Sequence, residues 1–150
     1  MDKNSDQIQR VIDLPVSLDR AWRAISTPED FSSWFSDHAA FESRVGAEIV
    51  FEWDQYGKKY GRVEVIDPPH RFGFRWLAGD AGVQAPIKEG NSTLVMMELT
   101  EVPNGIRLTV TESGFSSLPA ELQDSEFHKN VVGWKSEMKD LVDLIRGESI

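Results

Sequence analysis

The chain has 150 residues, 40% of them hydrophobic, which suits one domain with a real core and speaks against disorder over most of its length. Acidic residues number 25 against 16 basic ones, and the resulting formal charge of −9 repels phosphate backbones and anionic membranes, so nucleic acid is not expected as a partner. The absence of cysteine excludes disulfides, thiol catalysis and thiolate metal sites, and no apolar run approaches the ~20 residues of a membrane span, so no membrane insertion is expected.

The polar start from Met1 to Gln7 lacks the apolar stretch of a secretion signal. It reads as a disordered lead over residues 1–7, before one domain over 8–146 and a short tail at 147–150. A cytoplasmic location fits this pattern. Ile8, Arg10, Ile12 and Leu14 alternate with Gln9, Val11 and Asp13, the period of a strand, which Pro15 ends. Ser17 then caps a short helix whose Leu18, Ala21, Trp22 and Ile25 share one face. In Thr27-Pro28-Glu29-Asp30 a hydroxyl stands at the N-cap, a proline at the first helical position and acids in the first turn. Phe31, Trp34 and Phe35 form the buried face of this second helix.

Strands follow near Ala39–Ser43, Ala47–Trp53, Tyr60–Ile66, Arg71–Leu77, Ser92–Val102 and Ile106–Glu112. Val45-Gly46, Tyr56-Gly57-Lys58 and Asp67-Pro68-Pro69-His70 are turns, and Asn104-Gly105 predicts a type I′ hairpin. Ala78–Asn91, rich in glycine, is a long loop. Asp124 then caps a helix whose Phe127, Val131, Trp134, Met138, Leu141 and Ile145 make one apolar stripe. Gly133 beside Trp134 costs ~1 kcal/mol against alanine in a helix and predicts a close approach to the helix backbone.

The order strand, two short helices, six strands, long helix is α+β. Short turns make an antiparallel meander, and one helix covers seven strands only if the sheet curls around it, which tends to leave a space between them. Alternation turns Ile49/Phe51/Trp53, Val63/Val65, Phe72/Phe74/Trp76 and Ile106/Leu108/Val110 toward that space. Ser92–Val102 is apolar on both faces, so its Leu94/Met96 side is either covered or shared with a second subunit. The candidate ligand-binding residues are Phe51, Trp53, Phe74, Trp76, Met97, Glu112, Phe115, Val131, Trp134 and Met138. Large aromatics also fill cores routinely, and each of these is open to that plainer reading.

Glu112 and Arg10 fall in register with apolar faces; a charge inside a core must be paired, hydrogen-bonded or open to water, so the two could pair in a meander closed by its first strand, or more commonly sit at a strand end and reach solvent. His38, His70 and His128 stand in different elements without metal-ligand spacing, and no metal site is expected. No glycine-rich phosphate loop, cofactor motif or nucleophile elbow occurs, so no cofactor or catalytic residue is assigned. Glu112 with His128 is the one reactive pair the sequence suggests.

Arg10-Val11-Ile12-Asp13-Leu14-Pro15 leading to Ala21-Trp22-Arg23-Ala24-Ile25, then Thr27-Pro28-Glu29 and Trp34-Phe35, resembles the opening of the Hsp90-ATPase-activator-homologue-like proteins of the START/Bet v 1-like superfamily. Gly61-Arg62-Val63, Asp67-Pro68-Pro69, Phe74-Arg75-Trp76, Leu108 to Phe115 and Gly133-Trp134 continue the likeness from roughly Ile8 to Ile145. The resemblance implies a helix-grip fold, an antiparallel sheet wrapped around the C-terminal helix and a cavity. Many superfamily members bind lipids, sterols, hormones or polyketide-like molecules, and some are cyclases or hydrolases. The eukaryotic activator carries a further N-terminal domain with an Asn- and Trp-rich motif, which this chain does not show, so Hsp90 activation is not inherited. The expected function is non-catalytic binding of a small, mostly apolar ligand. A cyclase- or hydrolase-type enzyme using the same cavity, and a protein-interaction module or homodimer presenting Leu94/Met96, are the alternatives.

Overall fold

A computed structural model describes residues 6–148. The strands β1 (Gln7–Leu14), β2 (His38–Ala40), β3 (Glu48–Trp53), β4 (Gly57–Asp67), β5 (Arg71–Leu77), β6 (Ser92–Val102) and β7 (Gly105–Ser113) form one sheet. Its order is β1-β7-β6-β5-β4-β3-β2, a meander whose last strand is joined at the edge by the first. Every pair is antiparallel. Between β1 and β2 lie α1 (Leu18–Ser26) and α2 (Pro28–Trp34), and the chain closes with α3 (Ala120–Glu148). This is the expected α+β helix-grip arrangement.

The caps act as their chemistry requires. Ser17 Oγ accepts the Arg20 N–H at 3.2 Å and Thr27 Oγ1 accepts the Asp30 N–H at 3.3 Å, with Pro28 at the start of α2 where a missing N–H costs nothing. Each such cap is worth about 1 kcal/mol. Inward side chains of the sheet, among them Ile49, Phe51, Phe72, Phe74, Met97 and Leu108, are wholly buried against Phe31 and Phe35 and against Trp134, Met138, Leu141 and Ile145 of α3.

Several boundaries depart from the periodic reading. The helix α3 begins at Ala120, a full turn before Asp124, directly after Pro119. At 29 residues it is about 44 Å long. Its other end runs through Gly147 to Glu148, where a tail was expected, because Arg20 of α1 grips the Glu148 carboxylate through Nε at 2.7 Å and Nη2 at 2.6 Å. Arg20 also reaches Asp30 of α2 at 2.6 Å, so one guanidinium ties three helices. Residues 1–5 of the expected lead and 149–150 of the tail lie outside the described residues; Gln7 already pairs with Ser113.

Strand β2 ends at Ala40 rather than Ser43, because Phe41 leaves the ladder to pack on Phe31 and Phe72, 5.9 and 5.6 Å between ring centroids. In β4 the register shifts between Val63 and Val65, leaving Glu64 as the extra residue of a bulge. Val63 and Ile66 therefore share the core side, where alternation had put Val63 and Val65. The β6–β7 turn is not type I′ over Asn104-Gly105. Val102 pairs with Gly105, the central residues are Pro103 and Asn104, and Asn104 does not have positive φ. Proline fixes its own φ near −65°, which suits a first central position and a turn of the other hand. Gly105 is needed for another reason: a Cβ there would lie 2.1 Å from the Leu14 carbonyl oxygen. On β6, Val95, Met97 and Leu99 face inward, while Leu94 and Met96 are half-buried on the outer face. Met96 lies over the bare backbone of Gly73, where a Cβ would come within 3.0 Å of its sulfur. That side is therefore partly covered by the chain itself.

Candidate functional site

The centre of the site is a carboxylate with no exposure to solvent. Glu112 stands on the inner face of β7, and all of its hydrogen bonds come from uncharged donors. Oε1 accepts Trp134 Nε1 at 2.8 Å and Asn130 Nδ2 at 3.1 Å. Oε2 accepts Trp76 Nε1 at 2.8 Å, Asn130 Nδ2 at 3.0 Å and the Thr93 hydroxyl at 2.5 Å. Burial pushes its pKa up, and the hydrogen bonds from Thr93, Trp76, Trp134 and Asn130 pull against that rise. Three of the four donors carry N–H groups that cannot accept, so the arrangement matches a carboxylate.

Neither pairing that the sequence allowed for Glu112 forms. Ile8, not Arg10, lies opposite it; Arg10 lies opposite Val110 on the edge strand and donates from Nη1 to the Gln9 carbonyl at 3.2 Å. The carboxylate oxygens are already filled from β5, β6 and α3. His128 is exposed on α3 with Nδ1 2.8 Å from the Asp124 carbonyl, so the Glu112–His128 pair is also absent.

Glu112 thereby holds two indole rings against each other, Trp76 and Trp134, with centroids 6.3 Å apart. A third, Trp53, donates from Nε1 to the Phe35 carbonyl at 3.0 Å and to Glu137 Oε2 at 3.3 Å. These rings and Phe35 form the floor of a cleft of about 560 Å³ between α3, the β3–β4 hairpin and the start of the loop after β5. Burial pushes Glu137 up to about 8; Asp140 and Asp37 add to the rise and the Trp53 hydrogen bond opposes it.

Opposite Glu137 the cleft is cationic. Lys59, on the inner side of β4, donates to the Gly79 carbonyl at 3.3 Å and sits 5.7 Å from the centre of the Trp76 ring. Burial pulls its pKa down. Lys129 of α3 reaches the same carbonyl at 3.3 Å but is paired with the buried Glu126 at 2.7 Å. Glu126 also accepts the Gly79 N–H at 2.9 Å, which pins the loop to the helix.

Of the residues singled out from sequence, Trp53, Trp76 and Trp134 line the cleft. Glu112 lies beneath them. Phe51, Phe74, Met97 and Met138 are buried in the layer behind, and Val131 is half-buried on α3. Phe115 packs elsewhere in the core, edge-on to Phe127 at 5.3 Å. Phe35, Lys59, Asn130, Gly133 and Glu137 line the cleft without having been singled out for it. A signal existed for some of them: Asn130, Gly133, Trp134 and Glu137 recur at spacings of three and four on one helix face, and Lys59 alternates in phase with Gly61 and Val63. Gly133 itself answers differently from expectation. Among the described residues, none outside its own turn of helix and its chain neighbours comes within 4 Å of where its Cβ would stand, so no other element packs there and the bare backbone opens onto the cleft. Among the described residues no three His, Asp or Glu side chains gather as a metal site, and no helix is long and apolar enough to cross a membrane.

Comparison with solved structures supports the architecture. DynU16, a protein in the dynemicin biosynthetic locus, is 22% identical with a TM-score of 0.74 over 94% of this chain, which spans only 47% of DynU16. MLL2253 from Mesorhizobium loti is 20% identical with a TM-score of 0.76, covering 93% of this chain and 96% of its own. The Aha1 dimer from Colwellia psychrerythraea, solved in solution, is 18% identical with a TM-score of 0.72, covering 93% and 95%. At these identities the likeness is one of fold. A comparison with curated proteins finds no match. Residues 15–146 match the family described as Activator of Hsp90 ATPase homolog 1-like protein, and the chain belongs to that family.

Proposed function

We propose that the cleft binds a small, largely apolar molecule and that the protein is a binder of it rather than its catalyst. One observation carries this reading. Three indoles converge on a space of about 560 Å³, and all three spend their N–H groups on the protein, so the surface left for a guest is ring carbon. Pockets of this size suit small organic ligands, and an apolar floor supplies affinity in proportion to the area it removes from water. Trp53, Trp76 and Trp134 make the contact, while Phe51 and Phe74 pack against the Trp53 and Trp76 rings from the core. The likeness to DynU16, a protein in the dynemicin biosynthetic locus, is in keeping with this role. Titration of the intrinsic tryptophan fluorescence with lipids, sterols and flavonoids tests it: saturable quenching by at least one flat apolar compound is expected. Quenching that saturates with none of them overturns the reading.

A second reading, pairing of two copies, draws on β1. It is an edge strand carrying Val11 at 52% exposure, and the Colwellia relative is a dimer. Sedimentation at micromolar concentration decides it, a monomer throughout being the outcome that removes it.

A further inference from the structure

We infer, resting on the reading that the cleft binds a small molecule, that its ligand is an aromatic acid lying along α3, with its anionic group on Lys59 and its rings over Gly133. The argument begins with charge. Lys59 contacts the Gly79 carbonyl and the Trp76 face, and among the described residues it forms no salt bridge. Its neighbour Lys129 is already neutralised by Glu126 at 2.7 Å. A half-buried ammonium held by one carbonyl and one ring is short of counter-charge. Desolvation is the largest influence on it, opposed from a distance by Glu126, Glu112 and Asp80 and reinforced by Lys129. Asp80 also borders the cleft, but it is exposed and its charge is screened by solvent. An incoming carboxylate or sulfonate supplies what Lys59 lacks.

Shape and polarity agree with this orientation. Glycine is a poor helix residue, yet Gly133 stands mid-helix and, among the described residues, no other element of the fold packs into the room it leaves. A flat ring resting there meets bare helix backbone in the cleft that Trp76 and Trp134 also line. From Lys129 to Glu137 is eight residues, about 12 Å along the helix, which spans an aromatic system of two or three rings. At the far end the negative charge comes from Asp37 and Asp140, Glu137 itself being mostly protonated at neutral pH, and that charge turns a second anion away and leaves Lys59 as the place for the acid.

The test uses the whole chain and two dyes that share one ring system, anilinonaphthalene sulfonate and its uncharged parent phenylnaphthylamine, each titrated by fluorescence. The wild-type protein is expected to prefer the sulfonate. Lys59→Met is expected to lose about tenfold in affinity for the sulfonate, the worth of a charge-assisted hydrogen bond, with the uncharged dye unchanged. Gly133→Leu is expected to weaken both, with far-UV circular dichroism showing the fold retained. If both dyes bind equally and Lys59→Met alters neither, the acid inference falls while binding in the cleft stands. Unchanged binding of both dyes by a folded Gly133→Leu protein overturns the placement along α3. If neither dye binds saturably, the parent reading fails and takes this inference with it.

Discussion

Glu112→Gln is the substitution whose cost follows most directly from the geometry. The amide keeps the shape of the side chain but replaces one acceptor oxygen with an NH2 group. If the nitrogen takes the Oε1 place, it faces the Trp134 and Asn130 donors; Asn130 keeps the other oxygen, but the Trp134 indole loses its acceptor. In the Oε2 place it faces Trp76, which still has the Thr93 hydroxyl at 3.1 Å, and Thr93 can rotate to accept. The second arrangement is the less costly, so one strong hydrogen bond is lost and no indole is left bare. A buried bond to a charged acceptor is worth about 1.5–3 kcal/mol, offset in part by removing a buried charge, so we expect a loss of about 2 kcal/mol. For a chain of this length that is roughly 4–8 °C in Tm. Urea denaturation and a thermal melt measure the loss, and near-UV circular dichroism reports whether Trp76 and Trp134 keep their positions. Full wild-type stability with an unchanged indole spectrum would refute the donor count.

Three further outcomes can be checked together. Glu137 is held near 8 in the folded protein against 4.5 in a free chain, so the unfolded state ionises first; stability is expected to fall as pH rises from about 4.5 through about 8. Glu137→Gln should flatten that part of the pH profile of the urea midpoint, and an unaltered profile would show that the group titrates normally. Gly133→Ala should raise stability by up to about 1 kcal/mol, because the methyl group meets no other element of the fold within 4 Å among the described residues; a lower Tm would mean that the room is not free. Arg20→Met removes the clamp on Asp30 and Glu148. A loss of about 1 kcal/mol that shrinks in high salt is expected, with faster amide exchange in the last turn of α3, whereas equal exchange would leave the clamp without a role at that helix end.

The sequence alone was enough for local structure with a local cause. Thr27-Pro28 starts α2 because its hydroxyl and ring act within three residues, and the stripe from Phe127 to Ile145 marks α3 because helical spacing repeats along one segment. Alternation assigned most of the inner face for the same reason, while the closure of the meander by β1 was one arrangement that the order of elements allowed. Where a local rule met a distant partner, it failed. The bulge at Glu64 reversed the faces of β4 beyond it, and Arg20 drew the expected tail into α3, whereas the turn suggested for Asn104-Gly105 was missed on a local cue, the Pro103 beside it. The site belongs almost wholly to this second group. Glu112 announces itself as an acid in an apolar register, but its four donors come from β5, β6 and α3, between 18 and 36 residues away. Nothing in the spacing of Trp76, Thr93, Asn130 and Trp134 says that they share one carboxylate. Lys59 reads as a strand charge, and Gly133 as a point of close packing, until folding shows which atoms surround them. Sequence therefore determined which segments are helix or strand and which faces are apolar, since those depend on neighbours along the chain. The tertiary structure alone decided which polar groups meet inside and where room is left between them.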